Sequence, residues 1–83
     1  MNNANMIEVF DAVTGGTDGS ASVDNWKSMS LDEVRVTAEG MADNCYEPLS
    51  SEELDLVTKA IAKAQKAERG VDFDLARMEL NEE

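Results

Sequence analysis

The sequence predicts an all-α domain, a small bundle of three helices with a short fourth helix at the C-terminus. Two kinds of signal point there. Apolar residues recur at helical spacing of three and four in separate stretches. Two capping boxes, Ser30 to Glu33 and Ser50 to Glu53, each stand just before such a stretch. Strands find no support, because VDFDL (71–75) alternates but has no second strand to pair with.

The first helix is expected from Asn5 to Val13, where Met6, Val9, Phe10 and Val13 share a face and Asn3 or Asn2 can cap the start. Gly15 and Gly16 end the pattern. Residues 14–25 then read as a flexible loop, since the small polar residues and three glycines of Thr14 to Ser22 have little to bury. Trp26, just before the next helix, reads as a lid over the core. The second helix begins at its Ser30 cap, with Leu31, Val34, Ala38, Met41 and Cys45 as its seam, and Pro48 closes it. Gly40 lies off that seam. The third helix follows Ser50 and carries Leu54, Val57, Ile61 and Ala64, running to about Arg69 with Gly70 as its C′ residue.

Two readings compete for 71–83. One extends the third helix through Val71, Leu75 and Met78. The other breaks at Gly70, caps again at Asp72 and folds Phe73, Ala76 and Leu80 inward as a fourth helix. Gly70 and Asp72 are stop and start signals in the right order, so the break is preferred.

Eighty-three residues make one domain, 1–83, and a thinly cored one. Leu, Ile, Val and Phe number 17, at the border where high net charge goes with disorder. Eighteen acids against seven bases give a formal charge of −11, which works against direct binding of nucleic acid or anionic membrane. No apolar run approaches the roughly 18 residues of a membrane span. The polar start MNNAN does not read as a signal peptide, and the single Cys45 fits a reducing, cytoplasmic setting.

With no histidine in the chain, Cys45 lacks the usual activating base, and its place on the seam reads as a small core hydrophobe. GGTDGS lacks the Gly-Lys-Ser/Thr ending of a phosphate loop. Neither Asp18, Ser20 and Ser22 nor Asp72, Asp74 and Glu83 completes a calcium loop, for Val23 and Arg77 stand where glycine is required. The expectation is no catalysis, no cofactor and no metal.

Ser30-Leu31-Asp32 followed by Val34 resembles the start of the second helix of the acyl carrier proteins, and Pro48 stands near a proline of that family's pattern. The resemblance implies a phosphopantetheine attached at Ser30. The chain departs from the family in Lys27-Ser28-Met29, which lacks the glycine and aspartate before the serine. Its C-terminal half also matches poorly.

Charge distribution is the most informative feature. Residues 1–58 carry net −10, residues 59–70 net +3 and residues 71–83 net −4. Asp32, Glu33, Glu39, Asp43, Glu47, Glu52, Glu53 and Asp55 face only Arg35 over 24 residues. Helix-dipole matching explains acids at helix starts, but not Glu39, Asp43 and Glu47. These eight acids are the expected partner-binding residues. The chain thus reads as a non-catalytic interaction module that occludes a basic, nucleic-acid-binding surface of a larger host protein. In composition it looks like the small acidic inhibitors and DNA mimics of bacteriophages and other mobile elements. The alternatives are a structural subunit of a larger assembly such as a virion, with self-association open to it, and third an acyl-carrier-like protein. Lys59, Lys63 and Lys66 form a solvated basic strip about half a turn from the third helix's seam.

Self-repulsion of this size opposes folding, so the melting temperature should rise between low and moderate salt as the charges are screened. Circular dichroism melts check this, and a fall with salt would contradict it.

Overall fold

The computed structural model describes residues 2–16, 22–67 and 70–82 and contains four α-helices with one 3-10 turn. The helices are α1 (Asn3–Thr14), α2 (Leu31–Cys45), α3 (Ser51–Lys66) and α4 (Val71–Glu82), and the 3-10 turn is Trp26–Ser28. Among the described residues there is no strand.

The starts of α1, α2 and α3 are set by side-chain caps. Asn2 caps α1 by accepting from the backbone N–H of Asn5 at 3.1 Å. Both predicted capping boxes form: Ser30 and Ser50 accept from the N–H groups of Glu33 and Glu53, whose carboxylates accept in return from the serine N–H. Each box satisfies two donors that a helix start otherwise leaves without a partner. At the other end of α1, Gly15 takes the left-handed conformation at φ 88° and its N–H donates to Asp11.

α3 is the hub. It packs against α1, α2, α4 and the 3-10 turn, while α2 and α4 lie across the bundle from one another. Its buried face consists of Leu54, Val57, Thr58, Ala60, Ile61 and Ala64. α1 contributes Met6, Val9, Phe10 and Val13, as its spacing predicts. α2 contributes only Val34, Ala38 and Ala42.

The chain breaks before α4, as preferred. Phe73, Ala76 and Leu80 are buried, and Val71, Leu75 and Met78 of the continuous-helix reading are exposed. The boundary differs in detail. α3 ends at Lys66 with Ala67 as its C-cap, and Gly70 serves the next helix instead, its carbonyl accepting from Asp74. Asp72, the expected cap, lies inside the first turn of α4, which begins one residue earlier. Residues 68–69, where the third helix was expected to end, lie outside the described ones. Gly70 has φ 132°, a conformation that side chains with a Cβ rarely adopt. The gain is Phe73, whose ring meets Phe10 at 5.5 Å and Trp26 at 6.4 Å between centroids. Trp26 is buried as a lid, and the Gln65 amide holds it from α3 by donating to the carbonyls of Trp26 and Met29 at 2.7 and 2.9 Å.

Three expectations need correction. Leu31 and Cys45 point along the predicted seam of α2 but are exposed, and Met41 is only half-buried. They flank or end a seam that the neighbouring helices cover only between Val34 and Ala42. Cys45 is therefore not a core residue. The third correction concerns the loop of residues 14–25. Thr14 ends α1 fully buried, its hydroxyl donating to the Phe10 carbonyl at 2.9 Å, and Gly15 and Gly16 are buried beside it. Val23 is tied to Val13 by a backbone hydrogen bond of 3.0 Å. The flexibility expected at 17–21 falls on residues outside the described ones.

Phe73→Ala should lose about 3–5 kcal/mol by deleting a buried ring, a large part of the stability of so small a domain. Leu75→Ala, half a turn away on the same helix, should lose less than about 1 kcal/mol. Urea unfolding of the two variants distinguishes the broken helix from the continuous one.

Candidate protein-binding surface

The eight acids divide into two groups of four. Glu33 and Glu53 close the capping boxes. Glu53 also accepts from the backbone N–H of Asn2 at 3.1 Å. Glu47 accepts from the Asn2 side-chain amide at 2.8 Å, and Asp55 pairs with Arg35, which also donates to Ser51 at 3.3 Å. These four carboxylates hold elements together.

The Glu47 contact belongs to a larger tie. The Asn5 amide, 6% exposed, donates to the Glu47 carbonyl at 2.7 Å and accepts from the Glu47 N–H at 3.2 Å. One side chain thus satisfies both backbone polar groups of a residue in the α2–α3 connection and fastens it to α1. A buried amide matched on both sides avoids the penalty of an unpaired polar group.

The other four acids, Asp32, Glu39, Asp43 and Glu52, are exposed and make no hydrogen bond or ion pair among the described residues. Asp32, Glu39 and Asp43 share the outer face of α2 with Val36, at steps of four, three and four residues. At about 1.5 Å per residue this ridge is roughly 16 Å long. Its apolar member was not singled out by the sequence pattern, yet Val36 is 68% exposed and sits with Asp32, Glu33 and Thr37 around a shallow depression. Its signal was a valine on the wrong side of a 3-4 seam.

The ridge begins in accord with the dipole of its helix, at Asp32 in the first turn, and ends against it. A helix C-terminus favours cations, yet the last turn of α2 has no basic residue and Asp43 stands close to it. α3 behaves conventionally, with Glu52 and Glu53 in its first turn and Lys63 and Lys66 in its last. Lys63 bonds Glu79 of α4 at 2.6 Å, and Arg77 of α4 makes a two-pronged pair with Asp11 of α1 at 2.8 and 2.9 Å. That pair holds the Arg77 guanidinium protonated beyond its ordinary range, the hydrogen bonds it donates to Asp11 being the main cause.

Ser30, the residue highlighted by the carrier resemblance, has an exposed side chain engaged as the α2 cap. Trp26 is committed to the core, and Tyr46 is 39% exposed. Among the described residues no group of three or more His, Cys, Asp or Glu side chains could hold a metal ion, and no helix is long and apolar enough to cross a membrane. Comparison with protein-family models, with curated proteins and with solved structures returns no match.

Glu53 has its pKa lowered below the ordinary value of 4.5, chiefly by the backbone N–H of Ser50 and against a smaller opposing effect of burial. A carboxylate with a lowered folded-state value adds stability above its unfolded value and loses it as pH falls through the folded one. Glu53→Gln should therefore be less stable than Glu52→Gln, an equal change of charge at an unpaired neighbour, at pH 7. The gap should close on acidification below about 4.5. Chemical denaturation of both variants across pH checks this.

Proposed function

We propose that this chain is a non-catalytic binding module whose α2 ridge docks on the basic, nucleic-acid-binding surface of a larger protein and excludes nucleic acid from it. The observation that supports the reading is the set of partnerless carboxylates Asp32, Glu39 and Asp43 on one face of a helix whose dipole they partly oppose. Asp32 suits the first turn of α2, but folding gains nothing evident from Glu39 and Asp43, whereas a cationic partner does. Carboxylates held on a helix form a fixed array of negative charge, which can compete with phosphates for the same arginines and lysines. Val36, exposed among them, adds an apolar contact that a purely electrostatic surface would lack. The reading places the protein in the cytoplasm, where nucleic-acid enzymes work and the exposed Cys45 thiol stays reduced.

Relative to the eight acids expected from the sequence, this surface is narrower. Glu33, Glu47, Glu53 and Asp55 contribute to the negative field but are already bonded within the fold. Their replacement would report on stability as well as on binding.

The test is capture from a host lysate on immobilised protein, followed by elution with duplex DNA or with salt. Basic nucleic-acid-binding proteins should be retained at low salt and displaced by DNA. The triple variant Asp32→Asn, Glu39→Gln, Asp43→Asn should lose at least about tenfold in affinity, mainly through slower association, with a weaker salt dependence. Equal capture by that variant, or retention indifferent to DNA, would overturn the proposal.

A further inference from the structure

Across the bundle from the acidic ridge, α4 presents an apolar stripe that the fold does not cover. Val71, Leu75 and Met78 are 75%, 53% and 53% exposed and fall at steps of four and three on one face. Scattered exposed apolar residues are ordinary, but three aligned on the outer face of one helix form a patch. Beside the stripe, two adjoining depressions make a shallow groove between α3 and α4. One is lined by Lys66, Asp72 and Leu75, the other by Leu56, Lys59 and Leu80, and the bonded pair Lys63 and Glu79 stands between them. Its α3 wall is therefore positive, in a chain that is otherwise strongly negative. Lys59 and Lys66 make no ion pair or hydrogen bond among the described residues.

The ligand that fits such a groove is an amphipathic helix with an apolar face and acidic flanks, and α4 is such a helix. It carries Asp72, Asp74, Glu79 and Glu82 against Arg77 alone. We propose that two copies of this chain associate about a two-fold axis through α4, each copy's α4 lying over the α3–α4 groove of the other. Stripe then meets stripe, and the acids of each α4 approach Lys59 and Lys66 of the opposite α3. A two-fold contact uses the same patch on both copies, so it closes at a dimer and leaves neither lysine wall uncovered. The α2 ridges face outward at opposite ends, so a dimer carries two of them. A single 12-residue helix and its rim make a contact at or below the size of a standard interface, about 800 Å² per partner. The association is correspondingly weak and depends on concentration.

Sedimentation of the full chain between about 10 μM and 1 mM, the range of weak complexes, tests this in moderate salt. The average mass should rise from 9.0 kDa toward twice that value. Leu75→Gln with Met78→Gln, exposed positions that leave charge unaltered, should hold it at one chain while helicity by circular dichroism is retained. Lys59→Gln and Lys66→Gln, made together with Asp32→Asn and Asp43→Asn to keep the net charge at −11, should weaken association at least about tenfold. The ridge pair alone should not weaken it. A single-chain mass throughout, or a dimer that survives the α4 variant, would overturn the proposal. Loss with the ridge pair alone would do so too, since it would mean head-to-tail contact through α2. So would indifference to the lysines, because the charge pairing selects this arrangement.

Discussion

The fold depends on one meeting of three rings. Phe10, Trp26 and Phe73 are three of the four aromatic residues in the chain, and they come from α1, the 3-10 turn and α4. With ten alanines among its apolar residues, the rest of the core is built from small side chains that bring helices close but fill little volume. The rings supply bulk where small residues cannot, and tilted or edge-on pairs add to what their area alone gives. They also dictate the route of the chain. Without the turn at Gly70, Phe73 would be carried away from Phe10 on an extended helix. Without the 3-10 turn, the indole would not reach between α3 and α4.

Around that cluster, most polar contacts serve to close seams. Asn2 and Asn5 tie the start of α1 to the α2–α3 connection, Gln65 ties the 3-10 turn to α3, and Asp11 with Arg77 clamps α1 to α4. The lengths of sequence between partners in these ties are large, from 36 residues for Gln65 and Met29 to 66 for Asp11 and Arg77. In a chain with so little apolar area to bury, such ties fix which helix lies where. The acids spent on this work are distinct from those left at the surface, and that division gives the α2 ridge its meaning.

Much of the architecture could be read from local rules. Capping boxes at Ser30 and Ser50 depend on residues three positions apart, so sequence alone reveals them. The inward face of α1 and the break before α4 follow equally from spacing and from Gly70. What escaped was everything decided by distant neighbours. Leu31 and Cys45 have the correct angle on α2, but angle does not say whether another helix extends far enough to cover them. Asn5 shows no periodic signal for its pairing with Glu47, forty-two residues away. The candidate surface was legible as an acidic region but not as a ridge, because composition cannot separate Glu47, held by Asn2, from Asp43, held by nothing among the described residues.

The unequal sharing of the core has a consequence for motion. α2 is a 15-residue helix that gives the interior only Val34, Ala38 and Ala42, and it has Gly40 within it, with open space where a Cβ would be. α3, one residue longer, buries six side chains and touches every other element. Opening of the native state follows the least-anchored unit first. The amides of α2 should accordingly exchange with solvent ahead of those of α3, in a cooperative opening that leaves the ring cluster intact. The acidic face thus rides on a helix that opens more readily than α3, and it keeps its fixed spacing only while α2 stays docked.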